Sequence, residues 1–452
     1  MEKHDITALV TARLDRLPLS RYHYKMIGIC GATWAFDAFD IALITFVATA
    51  LAQAWNLSPG EMGIVLSSGL IGMIAGAFLG GIAGDRMGRK AVLKWTMLVF
   101  SIASLGCAIA WDIYSLVFFR FIVGLGLGGL PPIIYTLMGE ITPARDRGKT
   151  QGLLTTFWTV GWILAALLAY FVIAGLEDGW RWAFVAGATP ALYLFIVQRY
   201  IPESARWLAM KGRKEEALAI VDDIERQVAK TDMIPPLTED MIKKDVIVEQ
   251  KPSFGALYSV NYRRVTIMLM ILWFLNMFGY YGLFSWLPSL LMKSGRTMEQ
   301  SFLYSIFLQL AYLPNQVLVA FLMDKYGRKP VLIGNLLCGF LATLAFGWAL
   351  GLPTLESFHI IGLGVVTSFF ISGIIAVSYT YTPELYPTAF RATGAAMGSA
   401  CSRVGGMVSP IAIGYAMGII GITGAVSLVA GAFILAAVTV GVMGIETKGK
   451  AL

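Results

Sequence analysis

Long apolar runs alternate with short polar breaks along most of the chain. Apolar segments near 20 residues, each enough helix to cross a bilayer, recur about twelve times. They lie at about 26–55, 61–83, 91–111, 115–138, 149–173, 181–200, 264–291, 299–323, 330–350, 356–381, 391–418 and 421–444. One long polar stretch separates six from six. Inside it, KGRKEEALAIVDDIERQVAK reads as a short amphipathic surface helix, followed by a link at Pro235 and Pro236. The pattern predicts an all-α integral membrane protein with twelve transmembrane helices in two six-helix bundles. Its parts are an N-terminal arm (1–25), a first bundle (26–200), a central loop (201–263), a second bundle (264–444) and a tail (445–452).

Composition agrees with this pattern. The 452 residues are 57% hydrophobic and 14% charged, against about 25% charged in soluble domains. The net charge of +7 could suggest nucleic acid in a soluble protein. Here it follows from cytoplasmic loops rich in Lys and Arg, so no nucleic-acid partner is expected. Arg86, Arg89, Lys90, Arg145, Arg147, Lys149, Lys325, Arg328, Lys329 and Arg391 fall on one side, with the arm, the central loop and the tail. The other side carries only Arg181, Lys293 and Arg296, which predicts cytoplasmic termini. Cys30, Cys107, Cys338 and Cys401 sit in apolar runs and read as small hydrophobes, not disulfides. His4, His23 and His359 form no metal set, and no Walker motif is present. The first 25 or so residues show no cleavable signal peptide. No cofactor is expected beyond a proton as coupling ion.

The two halves repeat. DRMGRK at 85–90 follows the second span, and DKYGRK at 324–329 follows the eighth, 239 positions later. Glu140-Ile141-Thr142-Pro143 recurs as Glu384-Leu385-Tyr386-Pro387, offset by 244. Pro202-Glu203-Ser204 is echoed by Ile445-Glu446-Thr447, offset by 243. Near-equal offsets in one order mean a duplicated six-helix unit, the parallel type of repeat found in carriers.

The residues of these repeats resemble the major facilitator superfamily. GGIAGDRMGRK (80–90) is similar to its loop motif between helices 2 and 3, and RFIVGLGLGG (120–129) to its helix-4 motif. PESARWL (202–208) and IETKG (445–449) resemble sugar-porter signatures, each lacking a Pro. ELYPTAFRATG (384–394) has the form of the organic-ion and metabolite:proton symporter branch. FDAFD (36–40) resembles helix 1 of bacterial aromatic-acid:proton symporters and niacin transporters. The resemblance covers essentially the whole chain. It implies a secondary carrier with alternating access, usually monomeric.

Asp37 and Asp40 lie three residues apart in WAFDAFDIALIT and share a helix face. Carboxylates inside a membrane span are usually functional, and two close together favour a shared proton. A structural pair neutralised by an Arg of another helix is the alternative. Arg120, near the start of the fourth span, reads either as an interfacial snorkelling Arg or, by the resemblance, as the partner of a helix-1 carboxylate. Arg403 lies twelve residues past Arg391, about 18 Å along a helix and so near mid-membrane. Anion carriers of the organic-ion branch resemble this stretch with Arg here, which implies a clamp on a substrate carboxylate. A structural pair with Asp37 or Asp40 is the alternative. Trp158, Asn276, Tyr280, Gln309 and Tyr312 are the expected aromatic and amide lining for a flat ring, against plain packing. The resemblance gives Asp85, Arg86, Gly88, Arg89, Glu140 and Arg147, with Asp324, Gly327, Arg328, Glu384 and Arg391, a gating role, Asp85 receiving an Arg such as Arg147.

These readings predict proton symport of a small organic anion, such as nicotinate, across the inner membrane. A sugar:proton symporter is suggested by PESARWL and IETKG, but span 7 lacks a Gln-rich pattern for hydroxyls. An organic-cation carrier could use Asp37 and Asp40, but Arg403 opposes it. A membrane sensor would signal through the central loop, which has no further folded domain of evident size. An enzyme is not expected, since no nucleophile–base set is present.

Overall fold

The computed structural model describes residues 3–238, 241–242, 257–260, 262–352, 355–386 and 391–448. Their regular structure is helical, and they carry no strand. Eleven continuous helical stretches are long and apolar enough to cross a membrane. The last of them, α17 (Arg391–Met443), holds Gly421 at φ 72° and ψ −177°, which breaks it in two and gives twelve spans. Only glycine adopts that backbone without strain.

A short helix α1 (Lys3–Asp15) precedes the first span, α2 (Arg21–Ala54). The span therefore begins inside the segment expected to be a polar arm. Then come α3 (Pro59–Met87), α4 (Arg89–Ala108), α5 (Ile113–Ile141) and α6 (Arg147–Leu168), which ends in a π-helical turn. The sixth span is split into α7 (Gly179–Gly187) and α8 (Pro190–Tyr200). The central loop holds α9 (Ala205–Met210) and α10 (Lys214–Val228), the expected amphipathic helix. The second half runs through α11 (Arg263–Phe284), α12 (Leu287–Lys293), α13 (Met298–Leu310), α14 (Tyr312–Tyr326), α15 (Arg328–Leu350), α16 (Ser357–Glu384) and α17. The eighth span breaks at Ala311 because Pro314 has no N–H to give the Leu310 carbonyl.

The chain divides into two compact units that cut across the sequence halves. The first is 1–41, 71–162 and 184–249; the second is 42–70, 163–183 and 250–452. In the first unit, α3 and α5 touch through glycines. A Cβ on Gly72 would stand 2.1 Å from the Phe121 carbonyl oxygen, and one on Gly76 2.2 Å from that of Leu125. Small residues every fourth position let membrane helices approach this closely.

In the second unit, the ends of α2 and α3 remote from the termini pack on the second bundle. Ser67 donates to the Met407 carbonyl at 2.8 Å, and the Thr49 and Ser289 hydroxyls meet at 2.7 Å. Phe46 and Phe302 meet edge to face at 5.1 Å. A Cβ on Gly63 would lie 2.7 Å from the Pro410 carbonyl oxygen. Close backbone contact of this kind explains why those segments cluster with the second bundle and not with the rest of the first.

Candidate functional site

The first unit holds the helix-1 carboxylates. Asp37 and Asp40 on α2 are 0% and 1% exposed, and Arg120 on α5 is 2% exposed. The Nη1 of Arg120 donates to both Asp40 oxygens, at 3.0 and 2.8 Å. Of the alternatives for Arg120, the geometry is the helix-1 pair and not a snorkelling side chain, because Arg120 lies two turns inside α5. Asp40 is thus ion-paired with an Arg of another helix. Trp34 meets Tyr135 edge to face and Trp158 at a tilt, with ring centroids 5.4 Å apart in each case. Gly161 lets α6 reach α2, since a Cβ there would stand 2.3 Å from the Ala35 carbonyl oxygen.

The second unit holds Arg403 on α17, half-buried and making no ion pair among the described residues. Gly398 and Gly405, on either side of it, press α17 against Trp273 and Phe274 of α11. Tyr379 of α16 lies within electrostatic range of Arg403 and of Tyr312. Its ring meets Trp273 at 4.8 Å, and Trp273 Nε1 donates to Thr382 at 2.9 Å. Tyr379 remains 63% exposed. Tyr280 touches Phe284 at 4.9 Å and Tyr312 at 6.3 Å. Three buried polar groups in this cluster have an atom with no protein hydrogen-bond partner: Nε2 of Gln309, the hydroxyl of Tyr312 and Oδ1 of Asn276. The Asn276 amide donates to Ser378 at 3.4 Å. Arg403, Tyr280, Gln309, Tyr312 and Asn276 therefore belong to one unit, while Trp158 lies in the other.

The duplicated loops build matching ion clusters. Arg89 pairs with Asp85 at 3.2 Å and Glu140 at 3.5 Å. Glu203 accepts the backbone N–H groups of Arg89 and Lys90, at 2.8 and 3.1 Å. In the second half Arg328 pairs with Asp324 at 3.7 Å and Glu384 at 3.0 Å, and Glu446 accepts from the Arg328 and Lys329 backbone at 3.0 Å each. Burial pushes Glu446 up, but four backbone N–H donors outweigh it and hold the carboxyl below its usual range. Gly88 and Gly327 have φ of 98° and 96°, and a Cβ on either would strike the capping Glu. Asp85 receives Arg89 and not Arg147. Arg147 is turned toward α1, where its Nη2 meets Asp15 at 3.2 Å. Arg86 is exposed, and the Arg391 side chain lies outside the described residues.

Sequence reasoning gave no role to Glu203, Glu446 or Asp15. The offset between Glu203 and Glu446 was the available signal for the capping pair. No local pattern marks Asp15, whose neighbours are distant in sequence.

Twelve spans in a duplicated order, with paired signature clusters, define a multi-pass membrane transporter of the major facilitator type. The chain belongs to the sugar (and other) transporter family, whose match spans residues 27–452. It is 41% identical over 90% of its length, and 90% of the relative's, to the niacin transporter NiaP of Acinetobacter baylyi. It is 32% identical to the 4-hydroxybenzoate transporter PcaK of the same organism, over 87% of this chain and 85% of that one. A partially occluded inward-open structure of the xylose transporter XylE from E. coli shares the fold, with a TM-score of 0.77, 22% identity, and 96% and 100% coverage. These relatives are transporters, not enzymes.

Proposed function

We propose that the protein imports an aromatic monocarboxylate, with nicotinate the first expected cargo, by proton symport with alternating access. The observation that carries this reading is Arg403: a half-buried guanidinium in a membrane helix, beside an aromatic cluster, making no ion pair among the described residues. A cation there needs an anionic partner, and a substrate carboxylate supplies one in bidentate form. The aromatic rings of Tyr280, Tyr379 and Trp273 suit the flat face of the cargo. The names of the relatives, niacin and 4-hydroxybenzoate transporters, support the same class.

The coupling ion binds at the helix-1 carboxylates. Both are buried inside a membrane span, where a carboxylate is costly unless it is neutralised, as by taking up a proton. A monoanion entering with one proton makes the cycle electroneutral. The protein sits in the inner membrane with both termini cytoplasmic, as the Lys and Arg distribution supports, and needs no cofactor beyond the proton. It works as a monomer. A cationic cargo is opposed by Arg403.

The test is uptake of radiolabelled nicotinate into proteoliposomes, with and without an inward proton gradient, by wild type, Arg403→Lys and Arg403→Ala. Gradient-driven uptake is expected in wild type, with KM raised at least about tenfold in Arg403→Lys because a point charge replaces the bidentate fork. Folded wild type that takes up neither nicotinate nor 4-hydroxybenzoate would remove this cargo class.

A further inference from the structure

A buried polar group without a partner has lost its water and gained nothing, at a free-energy penalty large enough to need a reason. Two such groups stand three residues apart where the eighth span breaks. Gln309 is the penultimate residue of α13 and Tyr312 the first of α14. They are 3% and 4% exposed, and neither Gln309 Nε2 nor the Tyr312 hydroxyl meets a protein acceptor. Both can donate. Tyr312 also lies against the rings of Tyr280 and Phe284, and within electrostatic range of Tyr379, which in turn senses Arg403. The third orphan atom, Asn276 Oδ1, can only accept and is not part of this pair.

We infer that Gln309 and Tyr312 form a donor pair that reads a hydrogen-bond acceptor in the substrate ring, and so select a pyridine carboxylate over a benzene carboxylate. This rests on the aromatic-monocarboxylate reading above and adds the part of the ring remote from the carboxylate. Nicotinate and benzoate have nearly the same shape and the same charge near neutral pH. They differ in one ring position, where an unprotonated nitrogen replaces C–H. Arg403 holds both carboxylates alike. Benzoate leaves both donors dry, whereas nicotinate gives them an acceptor. Sites built to hydrogen-bond a substrate atom reject the analogue that lacks it for this reason.

The experiment is binding of nicotinate and of benzoate to the purified, detergent-solubilised transporter, for wild type, Gln309→Met, Tyr312→Phe and the double variant. Wild type is expected to hold nicotinate at least about tenfold more tightly than benzoate. The pyridine nitrogen has one lone pair, which the two donors share, so each single variant should lose part of the nicotinate preference and the double variant all of it, roughly tenfold. Benzoate affinity should stay within about twofold, so the double variant prefers neither. Neither substitution should lower the melting temperature, since each removes an orphan group and not a satisfied one. A structural role would instead lower stability and weaken both ligands together. Binding of both acids with an unchanged preference in the double variant overturns the donor pair and leaves the carboxylate clamp standing. Binding of neither acid to folded wild type overturns both.

Discussion

A single nitrogen of Arg120, Nη1, bridges the two carboxylate oxygens of Asp40, at 3.0 and 2.8 Å, where both side chains are sealed from solvent. Neither charge has water to fall back on. Asp40→Asn should therefore destabilise the protein by about 3–5 kcal/mol, much of it from the guanidinium left buried and unpaired. The double variant Asp40→Asn with Arg120→Gln should be less destabilised than the two single losses added together. Thermal unfolding in one detergent measures all four proteins. An Asp40→Asn variant that melts with wild type would show that the pair contributes nothing to stability.

Gly88 and Gly327 answer each other in the two halves. Each holds positive φ at a helix start and brings backbone amides to a glutamate, Glu203 or Glu446. Alanine at either site is strained by the backbone and also meets the carboxylate. Gly88→Ala and Gly327→Ala should each cost about 1–3 kcal/mol. Asparagine should give no relief, because φ 98°, ψ 157° at Gly88 and φ 96°, ψ 170° at Gly327 lie in a region that essentially only glycine adopts, outside the left-handed helical region that asparagine tolerates. Melting temperatures of the four variants decide the matter, and alanine variants as stable as wild type would refute it.

The N-terminal helix is tied down by charge. Arg13 bonds Glu225 and Asp222, with closest contacts of 2.6 Å, and Arg16 bonds Glu225 at 2.7 Å. Burial pushes the Glu225 carboxyl up, but its hydrogen bonds from Arg13 and Arg16 prevail and hold it below the usual range. A depressed folded value means the stabilisation is complete above the ordinary carboxylate range and is lost as pH falls through the lower, folded value. Hydrogen exchange of the α10 amides, corrected for intrinsic rates, should stay protected to pH values below that range and then rise. Glu225→Gln should raise exchange above the pH of the step, match wild type below it, and abolish the step. A step at the same pH in Glu225→Gln would assign it to another group.

The spans were legible because bilayer-crossing helices need long apolar runs, and each run in the sequence answers to one. The duplicated DRMGRK and DKYGRK loops were legible as a repeat for the same reason: their spacing is local. What sequence could not reveal depends on side chains far apart along the chain. Glu203 reaches Arg89 across 114 positions. The first 25 residues looked like a mixed polar arm, yet Ile6, Val10 and Leu14 of α1 are buried at helical spacing, and Leu17 just beyond it is buried too. Asp37 and Asp40 both sit on one apolar helix, and only the structure shows that Arg120 reaches Asp40.

The coupling prediction concerns Asp37, a carboxylate buried inside a membrane span. Asp37→Asn removes a group able to take up and release the coupling proton. Such a carrier should reorient loaded and empty regardless of the gradient. Counterflow exchange of nicotinate should persist near the wild-type rate, while gradient-driven accumulation is lost. Wild-type uptake should also be electroneutral, so a membrane potential of either sign should leave its rate unchanged. An Asp37→Asn protein that still concentrates nicotinate under a proton gradient would place the coupling proton elsewhere, and uptake currents in wild type would rule out a one-proton, one-anion cycle.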